Sequence, residues 1–287
     1  MSTSTKSTKP LAGVNKVLLY VGLTAFALFL IMPFFWLISS SLKSNPEVFT
    51  APIKWLPEVL HWHNYIDIWT ATNADMGLWL RNTTIMSVSV TFLQLLTGSF
   101  AAYGFSRVRF PGRDALFLVY IATIAVPWQA YMVPQLMLMT QLKLTGKGLI
   151  PMIVLQTFGA FGVFLMKQFF ETIPEELSES ARLDGLTEYG IWWRIMLPLS
   201  GPAVASLGLL TFVRTWNDFM GPLIYLTNRK YYTVQLGLNT FKADPTGASL
   251  DALLMTGLVL SVLPIAIIFI IGQRFFVEGI ATTGLKG

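Results

Sequence analysis

Arg214 and Asp218 sit four residues apart in an otherwise apolar stretch, Gly201–Leu226. On a continuous helix that spacing puts both on one face, where they can pair. A charge at mid-bilayer costs about 3 kcal/mol on insertion scales, so such residues mark function by default. Two readings stand. With Asn217 beside it, the pair is a gate or lines a cavity; alternatively it is an internal pair that fixes packing between membrane subunits. Gln94, Gln129, Gln135 and Gln156 also fall within apolar stretches. Amides and aromatic faces suit a neutral polar solute such as a sugar, which makes Gln129 beside Trp128 the first candidate contact. Hydrogen bonding between membrane helices is the structural alternative for each amide.

Other chemistry finds little support. His61 and His63 would share a face on a strand, but no third ligand flanks them at metal-binding spacing. The chain has no cysteine, which excludes disulfides, thiolate zinc, iron–sulfur clusters and a cysteine nucleophile. Gly146-Lys147-Gly148 lacks the earlier glycine and the following Ser or Thr of a phosphate loop, and there is no His-Glu-x-x-His. Asn82-Thr83-Thr84 matches a glycosylation acceptor but abuts an apolar run, so it reads as a helix start.

The elements that must position these groups are membrane spans. Charged residues make up only 12% of the 287 residues and apolar ones 54%, with a mean hydropathy of +0.59. A soluble domain carries about a quarter charged residues, and a disordered chain needs low hydrophobicity and high charge. Five runs lack any charge and approach or exceed the length of about 20 residues that a bilayer requires: Val17–Ile38, Asn82–Phe105, Ala115–Met139, Gly148–Met166 and Ala252–Gln273. Gly201–Leu226 is the sixth. The runs are continuous, without the alternation of a barrel strand. The expected class is therefore all-α, a polytopic membrane protein with six transmembrane helices. Ala25-Phe26-Ala27 is similar to a signal cleavage site, but the apolar run continues through Phe34, Phe35 and Trp36, so the first span is read as retained.

The net charge of +5 is a matter of orientation and implies no nucleic-acid partner. Lys6, Lys9 and Lys16 precede the first span; Arg107, Arg109 and Arg113 follow the second; Lys167, Arg182 and Arg194 follow the fourth; Arg274 and Lys286 follow the sixth. These regions alternate so as to share the cytoplasmic side, which places both termini inside. The layout is a cytoplasmic tail at 1–16, one six-helix transmembrane domain over 17–276 containing a loop at 171–198, and a cytoplasmic tail at 277–287. The first outer loop, with three prolines and Trp55, Trp62 and Trp69, is expected to fold as a cap at the membrane surface.

The 171–198 loop reads as two short helices joined at a glycine. Thr172 and Glu175 have capping-box spacing, and Pro174 suits a first turn. Gly185 after Asp184 is a helix stop able to take a left-handed conformation. Thr187 is placed to cap a second helix that ends near Pro198. Leu177, Ser180, Ala181 and Asp184 share one face by spacing, and the small pair permits close approach of a partner. Packing of this amphipathic helix onto its own bundle is the alternative.

Glu179-Ser180-Ala181, three residues, Gly185, nine residues, then Ile195-x-Leu197-Pro198 resembles the EAA loop of ABC importer permeases, with serine in place of the first alanine. Ala181-Arg182-Leu183-Asp184-Gly185 and Trp216-Asn217-Asp218 resemble the carbohydrate-uptake branch, and Glu278 to Gly287 the tail of the shorter maltose-type permease. The resemblance covers nearly the whole chain. It implies a type I ABC importer permease fold and no enzyme activity in this chain, with ATP and Mg handled by a separate ATPase dimer. It also implies a second homologous permease subunit, an extracytoplasmic solute-binding protein and a sugar substrate. By that resemblance Glu179 faces the ATPase, Gly185 permits the turn, and Ile195, Leu197 and Pro198 seat the second helix. Leu285, Lys286 and Gly287 would reach the ATPase interface. The rival reading is a stand-alone secondary transporter or channel, which calls for an internal repeat and ionisable groups on several spans.

Overall fold

The computed structural model describes residues 13–70, 75–243 and 250–284, which are helical with no strand among them. Three helices are long and apolar enough to cross a bilayer, namely Lys16–Ser41, Met76–Arg107 and Asp251–Gln273. Three helix pairs bent at short breaks raise the number of spans to six if each pair is one span. The first helix runs Gly13–Ser41 and the last Asp251–Gly284, beyond the apolar runs that mark them. Apolar side chains from Val17 to Phe35 stay exposed, as lipid or another membrane helix requires, while Trp36 and Leu37 pack on the start of the last helix.

The second span starts earlier than its sequence suggested. Asp75 caps it, accepting from the Leu78 N–H at 3.2 Å, and Asn82 lies two turns inside. Asn82 is buried, and its amide donates to the Lys230 and Tyr232 carbonyls. This helix is the axis of the fold. At 1.5 Å per residue its 32 residues reach about 48 Å. It packs most extensively on the 160–170 and 201–216 helices.

Three expected spans are broken. Ala115–Met139 is two helices, Arg113–Ala122 and Trp128–Gln141, meeting at 102° across a short 3-10 turn. Pro127 is the cause: it forces Val126 to extended geometry (ψ 113°). Gly148–Met166 divides into Ile150–Gln156 and Ala160–Phe170, bent by 41° at an extended Gly159. Gly201–Leu226 divides into Gly201–Trp216 and Met220–Tyr225 around Asn217 and Asp218. Broken helices inside a bundle are tolerated where they line a cavity.

Buried apolar clusters lie towards each end of the axis. One joins Tyr103, Val163, Met166, Phe170, Ile191 and Met196. Another joins Ile68, Met76, Trp79, Val234, Leu238 and Leu254. The 42–64 segment forms a cap at this second end, and its Asn45 side chain accepts from the Ala252 N–H at the start of the last helix.

Candidate substrate cavity and coupling loop

The three breaks open onto one cavity of about 910 Å³. Pro127, Gly159 and Asp218, one from each break, line it. Its size falls at the upper end of the range typical for ligand pockets. All four amides singled out in the sequence line it, together with Trp128, Arg214 and Asp218.

The charged residues do not pair as their spacing suggested. The helix ends at Trp216, so Asp218 lies past the point where four-residue spacing means one face. Its carboxylate accepts instead from Gln156 Nε2 at 2.7 Å and from the Gly221 N–H at 3.1 Å. Arg214 Nη2 donates to Gln94 Oε1 at 3.3 Å, and the Thr211 hydroxyl donates to the same oxygen at 2.7 Å. The Thr215 hydroxyl donates to Gln156 Oε1. Each charge is thus held by a separate amide, Arg214 by Gln94 and Asp218 by Gln156, on a wall where a bare ion would be costly. Trp128 Nε1 donates to Gln135 Oε1 at 2.8 Å, which fixes the indole, while Gln129 stands exposed at the wall. Asn217 is not part of the lining: its amide donates to the Val213 carbonyl and accepts from Gln235. Sequence reasoning missed Tyr131, Phe158, Phe161 and Tyr225, which supply much of the aromatic lining. Tyr131 lies a turn past the Pro127 break and Phe158 inside the Gly159 break, so proline and glycine inside apolar runs were the available signal.

The second candidate site is the 171–198 loop. Thr172 does not cap its first helix. The helix begins at Glu176, beyond capping-box reach of Thr172, whose hydroxyl donates back to the Phe169 carbonyl at 2.7 Å. The C-terminal half follows expectation. Gly185 takes φ +84°, its N–H donates to the Arg182 carbonyl, and the Leu186 N–H donates to the Ala181 carbonyl. This is a Schellman cap. Thr187 Oγ1 then accepts from the Gly190 N–H and starts a helical run, Glu188–Leu199, with a π-helical turn at Trp192–Met196. That run bends by 82° into the 201–216 helix.

Burial divides the first loop helix. Ala181 and Ser178 face the core, so Ala181 does not share an open face with Ser180. Glu179, Ser180 and Asp184 are exposed, and so are Leu177 and Leu183, the latter 90% exposed. An amphipathic helix that leaves a leucine this open has a face that no other described residue covers. In the second helix Ile191, Trp192 and Met196 are buried, Ile195 packs at the edge of the core, Leu197 is half-buried and Pro198 is exposed. Arg182 Nε donates to Glu188 Oε1 at 2.8 Å, tying the two helices together. The guanidinium holds the Glu188 carboxyl below the usual glutamate range, against the opposing effect of burial. Leu285, Lys286 and Gly287 lie outside the described residues.

Comparisons with known proteins agree with this architecture. Residues 94–282 match the family described as binding-protein-dependent transport system inner membrane component. The chain is 34% identical over 278 residues to the arabinooligosaccharides transport system permease protein AraQ of Halalkalibacterium halodurans, covering 94% of this chain and 96% of that one. It is 29% identical over 274 residues to the sn-glycerol-3-phosphate transport system permease protein UgpE of Pectobacterium atrosepticum, covering 93% and 94%. Its fold superposes with a TM-score of 0.81, at 22% identity, on a chain from the crystal structure of a bacterial ABC transporter involved in the import of the acidic polysaccharide alginate, covering 96% of this chain and all of that one. With its broken spans around one cavity and a capped loop at one end, the chain belongs to the binding-protein-dependent transport system inner membrane components.

Proposed function

We propose that this chain is the permease subunit of an ATP-driven importer in a bacterial plasma membrane. It takes up a sugar or oligosaccharide handed over by an extracytoplasmic binding protein. The observation that carries the substrate class is the cavity: four glutamines, Trp128, two tyrosines and one fixed carboxylate form a lining of hydrogen-bonding groups and aromatic faces. A polyhydroxylated solute satisfies both kinds of surface. Named relatives transport arabinooligosaccharides and sn-glycerol-3-phosphate, both rich in hydroxyl groups.

Energy comes from outside the chain, since its sequence holds no phosphate loop. The exposed face of helix 176–183, bearing Glu179, Ser180, Leu183 and Asp184, docks on a cytoplasmic ATPase that binds ATP and Mg. Arg107, Arg109 and Arg182 beside this loop support reading that face and both termini as cytoplasmic. A second permease completes the cavity and the pathway. The test is to purify the chain with its native partners, reconstitute them in liposomes, and screen the binding protein against a sugar panel. ATP-dependent uptake of a bound sugar is expected. Uptake by the lone chain driven by an ion gradient would overturn the proposal.

A further inference from the structure

The 76–107 helix holds the loop at two points, where it begins and where its second helix starts. Near the helix terminus the buried Arg107 donates through Nη2 to the Phe170 carbonyl at 2.5 Å and to the Ile173 carbonyl. Phe170 is the last residue of the helix that leads into the loop and Ile173 lies just past it, at a helix C-terminus where a cation is favoured by the dipole. Arg107 Nε is buried with no acceptor, so the clamp acts through Nη2. One turn earlier, the buried Tyr103 donates its hydroxyl to Glu188 Oε2, on the carboxylate that also holds Arg182. The same helix reaches the cavity at Gln94, which holds Thr211 and Arg214. At the far end Thr83 Oγ1 accepts from the Val234 N–H at 2.8 Å. From Asn82 to Tyr103 is about 31 Å of unbroken helix.

The loop has a second route to the same place. Helix 188–199 bends at Ser200 into helix 201–216, which carries Thr211 and Arg214. The two routes meet at Gln94, forming a closed frame: loop, axial helix, cavity wall, and back to the loop.

We infer that Tyr103 and Arg107 are positioning residues for energy coupling, clamping the loop to an axial rod that carries its displacement to the cavity wall at Gln94. This rests on the coupling role proposed above for the loop. Without the clamp, the loop follows the ATPase but moves against the rod instead of with it. ATP is then hydrolysed with less import. Both residues are buried and neither lines the cavity, so the defect lies in the ratio of the two rates, which simple loss of folded protein does not change.

The experiment uses the complete importer in proteoliposomes at matched chain content and reads solute imported per ATP hydrolysed. Tyr103→Phe and Arg107→Met are each expected to lower that ratio about ten- to a hundredfold, as for loss of a hydrogen bond to a charged group, with the ATPase still bound. Arg107→Lys should recover much of the loss, because an ammonium can still donate to both carbonyls. An unchanged ratio in Tyr103→Phe overturns the inference, even if Arg107→Met fails to assemble. Equal defects in Arg107→Lys and Arg107→Met overturn the clamp geometry. A wild-type complex that shows no ATP-driven uptake overturns the coupling reading itself, and this inference with it.

Discussion

Replacing Gly185 by valine isolates the geometry of the loop from its contacts. Gly185 sits at φ +84°, and a Cβ built there meets no atom within 4 Å. The Cβ therefore meets no clash at this exposed turn, and the main cost is torsional. The left-handed region costs an ordinary L-residue about 1–2 kcal/mol, and a β-branched one more. If the turn relaxes instead, it gives up the Gly185 N–H to Arg182 and Leu186 N–H to Ala181 bonds, of 3.0 and 2.9 Å. Two such bonds are worth about 2 kcal/mol net. Either route costs about 2 kcal/mol, roughly a thirtyfold shift away from the native turn. Asparagine tolerates this conformation and should behave nearly as wild type, while alanine should fall between. The assay is ATP-driven uptake in vesicles, normalised to inserted chain, with ATPase retention measured alongside. Normal membrane insertion with uptake ordered Gly ≈ Asn > Ala > Val is expected. A valine variant with full uptake and full ATPase retention would refute the argument that this turn sets the coupling posture.

Other perturbations probe the remaining parts. A Cβ on Gly237 would lie 2.2 Å from Trp79 Cδ2, so Gly237→Ala should overpack the cluster around Trp79 by about 1–3 kcal/mol and lower the Tm in detergent. Gln94→Leu removes the acceptor shared by Thr211 and Arg214; uptake should fall while expression holds, measured as initial rate against immunoblotted chain. The Arg182–Glu188 tie has a defined pH dependence. Glu188 is depressed by Arg182, so its contribution is present above the ordinary glutamate pKa of about 4.3 and is lost as pH falls through the lower folded value. Hydrogen exchange of the loop should be flat from pH 7 to 5 once corrected for intrinsic rates. A loss of protection above pH 5 would contradict that sign.

Much of this molecule is legible in the sequence because lipid leaves few options: an apolar run near 20 residues becomes a helix. The Gly185 stop and the Thr187 cap are equally local, each set by one residue's backbone or hydroxyl. What was not legible depends on chain breaks. Arg214 and Asp218 look paired only if the helix continues past Trp216, and it does not. Asn82 looks like a start only if Asp75 is overlooked. The Thr172–Glu175 spacing matches a capping box, yet the preceding helix claims the Thr172 hydroxyl first. Arg107 was legible only as one of the charges that orient the spans and Tyr103 not at all, because their partners lie 63 to 85 residues away.

The central claim is that the exposed face of helix 176–183 meets an ATPase. The chain has no cysteine, so a single introduced thiol reports without background. Leu183→Cys places it on that face, and Trp62→Cys, 63% exposed, serves as the control in the cap at the other end. In native membranes treated with a short thiol-to-amine cross-linker, Leu183→Cys should form an adduct with the ATPase subunit and Trp62→Cys should not. An ATPase adduct from Trp62→Cys, with none from Leu183→Cys, would contradict the account.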